Sequence, residues 1–158
     1  MKIVIVGDGK VGVTLTAQLS REGHDVVIID NNPQVLRESV DQYDVLGILG
    51  NGASLQAQKE AGVESADLLI AATSADEVNL LCCILARKLG TPHTIARVRS
   101  PEYTEQLRLL RSELGLSMTI NPERTAAMEI LSLLRFPAAL RRDTFAKGRV
   151  EIIVLKIL

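Results

Sequence analysis

The chain has 158 residues, is 47% hydrophobic and carries a formal net charge of −1, which suits one domain, or one and a fragment, around a sizeable core. The near-neutral balance argues against a nucleic-acid-binding face, which needs a basic surplus. No apolar run approaches the roughly 20 residues of a membrane span. Met1-Lys2 leads straight into a strand and a glycine turn rather than a signal peptide, so the expectation is a soluble, cytoplasmic protein.

Taken in order, short apolar runs alternate with longer amphipathic ones. Strands are predicted at Lys2–Val6, Asp25–Ile29, Val45–Leu49, Leu68–Ala72, Thr94–Val98 and Met118–Ile120. Helices fall between them, at Lys10–Arg21, Gln34–Gln42, Leu55–Ala61, Asp76–Leu89 and Glu102–Leu114. Gly23, Gly62, Gly90 and Gly115 stand where C-terminal glycines close helices. This β-α rhythm predicts an α/β fold: a doubly wound, six-stranded parallel sheet of Rossmann type, order 3-2-1-4-5-6, with helices on both faces.

The last forty residues break the rhythm. Pro122–Leu134 reads as a helix whose polar residues Thr125, Glu129, Ser132 and Arg135 make one stripe. Nearly everything else is apolar, an arc wide enough to want burial on more than one side, against a second subunit or domain. Phe136-Pro137 ends that helix. Gly148 in a turn precedes an apolar strand, Val150–Ile157, with no partner strand after it. One isolated strand is not a domain, so the natural protein is expected to continue, or the strand to pair in a dimer.

The candidate site begins at the glycine turn. Gly7-Asp8-Gly9-Lys10-Val11-Gly12 follows the first strand without a gap and opens the first helix, the context in which G-x-G-x-x-G binds a dinucleotide. Gly7 serves the tight turn, Gly9 the approach of backbone to a pyrophosphate, and Gly12 the packing of helix on sheet. Phosphates would sit at the helix N-terminus. Asp30 closes the second strand 18 residues after Gly12. An acid there accepts the ribose hydroxyls and repels a 2′-phosphate, favouring NAD over NADP, or it is a turn residue before Asn31-Asn32-Pro33.

Ligands of open α/β sheets bind at the carboxyl ends of the strands. Gly50-Asn51-Gly52 follows the third strand, as a plain turn or as backbone beside an adenine pocket. Thr73-Ser74 follows the fourth and borders the cofactor's other half, although Ser74 with Glu77 also spells a capping box. Arg97 lies near the end of the fifth strand, where an arginine needs an anion and a phosphate suits it. Lys10 meets the same phosphates or is solvated. His24 and His93 fall at the amino edge, which argues against either as a catalytic base. Cys82 and Cys83, adjacent in a helix, read as buried thiols. No nucleophile–base pair and no metal-ligand spacing stands out, and a dehydrogenase would need a substrate domain. Binding is expected, and enzymatic chemistry is not; the alternative is a fragment of an NAD-dependent oxidoreductase.

Together these features resemble the regulatory nucleotide-binding domains (KTN, or RCK N-terminal) of TrkA-like potassium uptake subunits. The resemblance rests on Met1–Gly7 and Asp30, on Ala72-Thr73-Ser74-Ala75-Asp76-Glu77-Val78-Asn79, and on Ile95-Ala96-Arg97-Val98-Arg99-Ser100-Pro101-Glu102-Tyr103. It continues through Asn121-Pro122-Glu123 and Phe145-Ala146-Lys147-Gly148. It implies a cytoplasmic subunit, peripheral to the inner face of the cell membrane, that gates a potassium-translocating membrane partner of Trk or Ktr type. It implies NAD or NADH as ligand, or ATP or ADP, lined by Gly7, Asp8, Gly9, Lys10, Val11, Gly12, Asp30, Asn31, Asn51, Gly52, Thr73, Ser74 and Arg97. It implies an acid, Glu123, near a divalent ion at the nucleotide. It also implies that 1–135 is the nucleotide-binding domain, including a crossover helix at 122–134 that packs on a second copy. Residues 136–158 would then be the hinge and start of a truncated C-terminal subdomain. Asp8 adds a negative charge within the glycine turn.

Overall fold

The computed structural model describes residues 1–110, 113–135, 139–145 and 150–155. The chain divides into two compact units, Met1–Asn121 and Pro122–Leu158. In the first, strands β1 (Lys2–Val6), β2 (Asp25–Asp30), β3 (Leu46–Leu49), β4 (Leu68–Ala71), β5 (His93–Arg97) and β6 (Met118–Ile120) pair in parallel, in the order β3-β2-β1-β4-β5-β6. The expected six-stranded doubly wound sheet is therefore the observed one. Helices α1 (Lys10–Arg21), α2 (Pro33–Gln42), α3 (Leu55–Glu60), α4 (Asp76–Leu89) and α5 (Pro101–Leu110) make the connections.

The strands are nearly continuous runs of Val, Ile and Leu because both faces of a parallel sheet are covered. Alternation divides them. Ile3, Ile5, Val26, Ile28 and Ile70 face Leu15 and Leu19 of α1 and Leu36 of α2. Val4, Val6, Val27, Ile29 and Leu69 face Ala57 of α3, Cys82, Cys83 and Ala86 of α4, and Leu107 of α5. Each fully buried Val or Ile contributes about 1.5–3 kcal/mol of transfer free energy, so the central strands carry most of the core.

Chain order and register bring all strand ends to one edge. Gly7 N–H donates to Ile29 O at 2.8 Å, Gly50 N–H to Asp30 O at 2.9 Å, and Ala72 N–H to Val6 O at 2.8 Å. One side chain ties β4 to β5 there. The amide of Asn79, fully buried, accepts Thr73 N–H at 2.8 Å and Thr73 Oγ1 at 2.7 Å through Oδ1. Its Nδ2 donates to Thr73 O at 3.2 Å and Arg97 O at 2.9 Å.

Three local details depart from expectation. The Ser74–Glu77 capping box does not form: Ala75 is the N-cap of α4 and makes no side-chain bond. Glu77 instead accepts the Tyr103 hydroxyl at 2.6 Å, which holds its carboxyl below the ordinary range. The fifth helix does not reach Leu114, because Glu113 and Leu114 lie in a turn ahead of Gly115, whose φ is +67°. Asn32 begins α2 a residue early by accepting Gln34 and Val35 N–H groups, with Pro33 as first helical residue.

In the second unit, α6 (Pro122–Arg135) takes the place of the expected helix. Ala139–Phe145 forms a strand, β7, that sequence reasoning passed over, and it pairs antiparallel with β8 (Val150–Leu155). The strand expected to stand alone thus has a partner, which precedes it. The run Arg141-Arg142-Asp143 hides β7 in the sequence by breaking any clean alternation. Phe136, Pro137, Gly148 and residues 156–157, to which a helix end, a turn and a strand end were assigned, lie outside the described residues.

Asn79→Ala removes four hydrogen bonds at the β4–β5 ends and leaves Thr73 N–H without its acceptor. It is expected to lower the unfolding free energy by about 3 kcal/mol, read by urea denaturation. A change below about 0.5 kcal/mol would show that the clamp is dispensable.

Candidate functional site

At the carboxyl edge of the sheet lies a cleft of about 660 Å³, within the size range of sites for small ligands and cofactors. Its centre is the glycine turn. Gly7 has φ +90°, and a Cβ there would lie 2.8 Å from Thr73 N. A Cβ on Gly12 would stand 2.0 Å from Gly7 O, so only glycine lets α1 pack this closely on the end of β1. Gly9 is different: a Cβ there meets nothing within 4 Å. Gly9 caps α1 without a side-chain bond, and the first turn of α1 holds no acid. An uncapped helix N-terminus, beside backbone that no neighbour crowds, suits an anion.

The first unit surrounds this turn with the other strand ends. Gly7, Gly9, Lys10 and Val11 line the cleft, as do Asp30 and Asn31 after β2 and Asn51 and Gly52 after β3. Thr73 and Ser74 after β4 and Arg97 at the end of β5 complete the set. Of the residues singled out from sequence, Asp8 and Gly12 lie outside the lining. Gly12 is a packing residue. Asp8 turns its side chain into the protein, fully buried with Oδ1 3.5 Å from the Thr16 hydroxyl. Its carboxyl therefore does not line the cleft, and burial pushes it above its ordinary 3.8.

Backbone and side chains preset the acceptors. Asp30 Oδ2 accepts Asp8 N–H at 2.6 Å and Oδ1 accepts Asn32 N–H at 2.8 Å. The carboxylate is thereby fixed at the strand end, with lone pairs left to accept further donors. Asn51 accepts Ala53 N–H at 3.0 Å in an Asx turn. Gly52 lies against β1, where a Cβ would stand 2.0 Å from Val6 Cγ1. Gln58, fully buried, holds this loop by donating from Nε2 to Gly52 O at 2.8 Å and Cys82 O at 3.1 Å. The Thr73 hydroxyl is engaged by Asn79, and Arg97 Nη1 donates to Thr73 O at 3.2 Å.

Gly50, read with Asn51 and Gly52, lines the cleft too; Arg99, Ala75 and Val78 also line it and were not singled out. For Arg99 the signal was present: it stands two residues past Arg97, the step that returns an extended chain to the same side. Gln58 and Asn79 carry no such signal, because their roles depend on which loops the folded sheet brings together. His24, before β2, and His93, the first residue of β5, sit at the opposite edge and do not line the cleft. The buried thiols are unreactive, Cys82 being pushed up to about 12 and Cys83 further still by burial. Glu123 stands in the first turn of α6, in the second unit. Among the described residues no three His, Cys, Asp or Glu gather as a cation site.

Gly12→Ala should cost roughly 1–3 kcal/mol by overpacking, whereas Gly9→Ala should melt within a few degrees of the parent; equal melting temperatures for the two would refute the packing role of Gly12. Asp8 supplies a pH test. Its folded carboxyl binds a proton more tightly than an unfolded aspartate, so its contribution to stability declines as pH rises from about 3.8 through the raised value. Asp8→Asn should match the parent in acid and become the more stable of the two as pH climbs through that window. A difference that does not change with pH would contradict the buried, perturbed carboxyl.

The family model described as the TrkA-N domain matches residues 3–122. A Trk system potassium uptake protein TrkA homolog from Methanothermobacter thermautotrophicus is 38% identical over 157 residues, 99% of this chain and 71% of that protein. The chain spans about a third of the length of other curated relatives it matches. Among solved structures, the TrkA-N domain of inner membrane protein ybaL from Escherichia coli superposes with a TM-score of 0.74 at 25% identity, over 84% of this chain and 96% of that one. The GsuK channel bound to NAD matches with a TM-score of 0.63 at 26% identity, over 75% of this chain and 21% of that one. GsuK bound to ADP gives 0.60 at 25%, over 76% and 31%. On the family match and the Methanothermobacter relative, the chain belongs to the TrkA-N domain family.

Proposed function

We propose that this chain is a nucleotide-binding regulatory domain of a potassium uptake system, which holds its ligand without converting it. The observation that carries the reading is the uncapped α1 N-terminus at an open Gly9, flanked by Asp30 on one side and Arg97 on the other. NAD or NADH is the first candidate ligand, with ADP or ATP as the second; the GsuK channel, similar in fold, is known bound to NAD and to ADP. Adenosine would lie over β2 and β3 with its ribose on Asp30. The phosphates would lie on the amides of Gly9 to Val11 beside Lys10. The far half would border Thr73, Ser74 and Arg97.

The oxidoreductase alternative is not favoured. Both histidines are at the wrong edge, and the relatives are named as potassium uptake proteins. No helix among the described residues is long and apolar enough to cross a membrane, which suits a subunit at the cytoplasmic face of a membrane-embedded transporter of Trk or Ktr type. Self-association through α6 fits its surface: Met128, Ile130, Leu131 and Leu134 are all more than half exposed. A ligand that binds one arrangement of paired domains better than another would shift the pair, and only that difference in affinity can move a gate.

Titration calorimetry with NADH, NAD, ATP and ADP tests the binding half; saturable binding of at least one is expected, and none for any would sink the proposal. The Asp30 role has its own readout. The parent should prefer NADH to NADPH, because the carboxylate meets the 2′-hydroxyl and repels a 2′-phosphate. Asp30→Ala should weaken NADH binding roughly 10- to 100-fold and narrow that preference. An unchanged NADH:NADPH ratio would reject ribose recognition by Asp30.

A further inference from the structure

One basic residue of the cleft has no part in the binding scheme above. Arg99 follows β5 and lines the same cleft as Lys10 and Arg97. Its backbone is held from two sides: its N–H donates to Asp76 Oδ2 at 2.8 Å, and its carbonyl accepts Asn121 Nδ2 at 3.1 Å. From that fixed base the side chain folds back over the β4–α4 loop. Nη2 donates to Ser74 O, and Nε stands 3.6 Å from Asp76 Oδ1.

These partners leave the guanidinium in reserve. It has five N–H donors, and its side chain is 44% exposed. The ion pair is long. The other oxygen of Asp76 already accepts two backbone amides, those of Arg99 and Ser100, both at 2.8 Å. Asp76 keeps both of those amide bonds when the guanidinium moves away; its Oδ1, buried and without a hydrogen-bond partner, gives up only the 3.6 Å charge contact, and the backbone of Arg99 stays held.

Charge then selects the ligand. Three cations, Lys10, Arg97 and Arg99, line the cleft against one carboxylate, Asp30. A dinucleotide carries a pyrophosphate bridge with one negative charge on each phosphate, both lying at the glycine turn. Its far half is a ribose and a ring without an anion. A nucleoside polyphosphate ends instead in a phosphate carrying about −1.5 to −2 charges at neutral pH, with oxygens that match the guanidinium fork. Set on the same adenosine and first phosphate, that terminal group extends from α1 toward the β4 and β5 ends.

Resting on the nucleotide reading, we propose that Arg99 is the specificity residue for a free terminal phosphate. A nucleoside di- or triphosphate draws the guanidinium from Ser74 O and Asp76, and a dinucleotide leaves it there. Calorimetry with AMP, ADP, ATP and NADH on the parent, Arg99→Gln and Arg99→Lys tests this. Parent affinity should rise with each added phosphate. Arg99→Gln should weaken ADP and ATP roughly 10- to 100-fold, leaving AMP and NADH within about threefold. Arg99→Lys, which keeps charge without the fork, should recover part of the loss. A uniform loss for all four ligands in both variants, or no loss for ADP and ATP, would overturn the proposal. A parent that binds AMP and NADH but gains nothing from further phosphates overturns the Arg99 role alone. A parent that binds none of the four removes the nucleotide reading itself.

Discussion

Four hydrogen bonds from one buried amide hold the site together. Asn79 is the point at which the end of β4, the start of α4 and the end of β5 are joined. A parallel sheet aligns its strands but does not decide what the chain does after leaving them. That is decided here by a side chain able to donate twice and accept twice at no net charge. Leucine of similar size would fill the space but remove all four bonds and leave Thr73 N–H without its acceptor, at roughly 1–3 kcal/mol for that group. The positions of Thr73, Ser74 and Arg97 around the cleft all follow from this one junction.

A second buried amide performs the corresponding task on the other side. Gln58 reaches from α3 to the carbonyls of Gly52 and Cys82, so the loop after β3 is tied to α4. The cleft is therefore bordered by two loops, each referred to the same helix. Between them sits the glycine turn, held by steric fit: Gly7 against Thr73, Gly12 against Gly7, and Gly52 against Val6. The walls are rigid where the protein touches itself. Gly9, which lines the cleft, is by contrast uncrowded.

Much of this could be read from the residues alone. The Val- and Ile-rich runs are the signature of strands covered on both faces, and their spacing with the intervening helices yields the six-stranded order. The strand-turn-helix context marked Gly7 to Gly12, and the interval to Asp30 marked the acid. What escaped depends on tertiary placement. Asp8 belongs by sequence to the turn and by structure to the core, because successive residues of a tight turn point in different directions. Arg99 was overlooked although its two-residue step from Arg97 was visible; what the sequence did not show is that Asp76 and Asn121 hold its backbone beyond the last residue of β5. The hairpin β7–β8 escaped because its first strand is charged.

The bond from Asp8 N–H to the Asp30 carboxylate makes the glycine turn and the acid after β2 a single body. On the proposed nucleotide reading, the distance between the place for a sugar diol and the place for the first phosphate is set by the protein before anything binds. Such a site works as a ruler. On that reading a 5′-phosphorylated nucleoside spans the two marks, whereas its 3′-isomer, of identical composition and charge, has its phosphate on the wrong carbon and no free diol. Discrimination between isomers then needs no additional contact, only a backbone amide that does not yield.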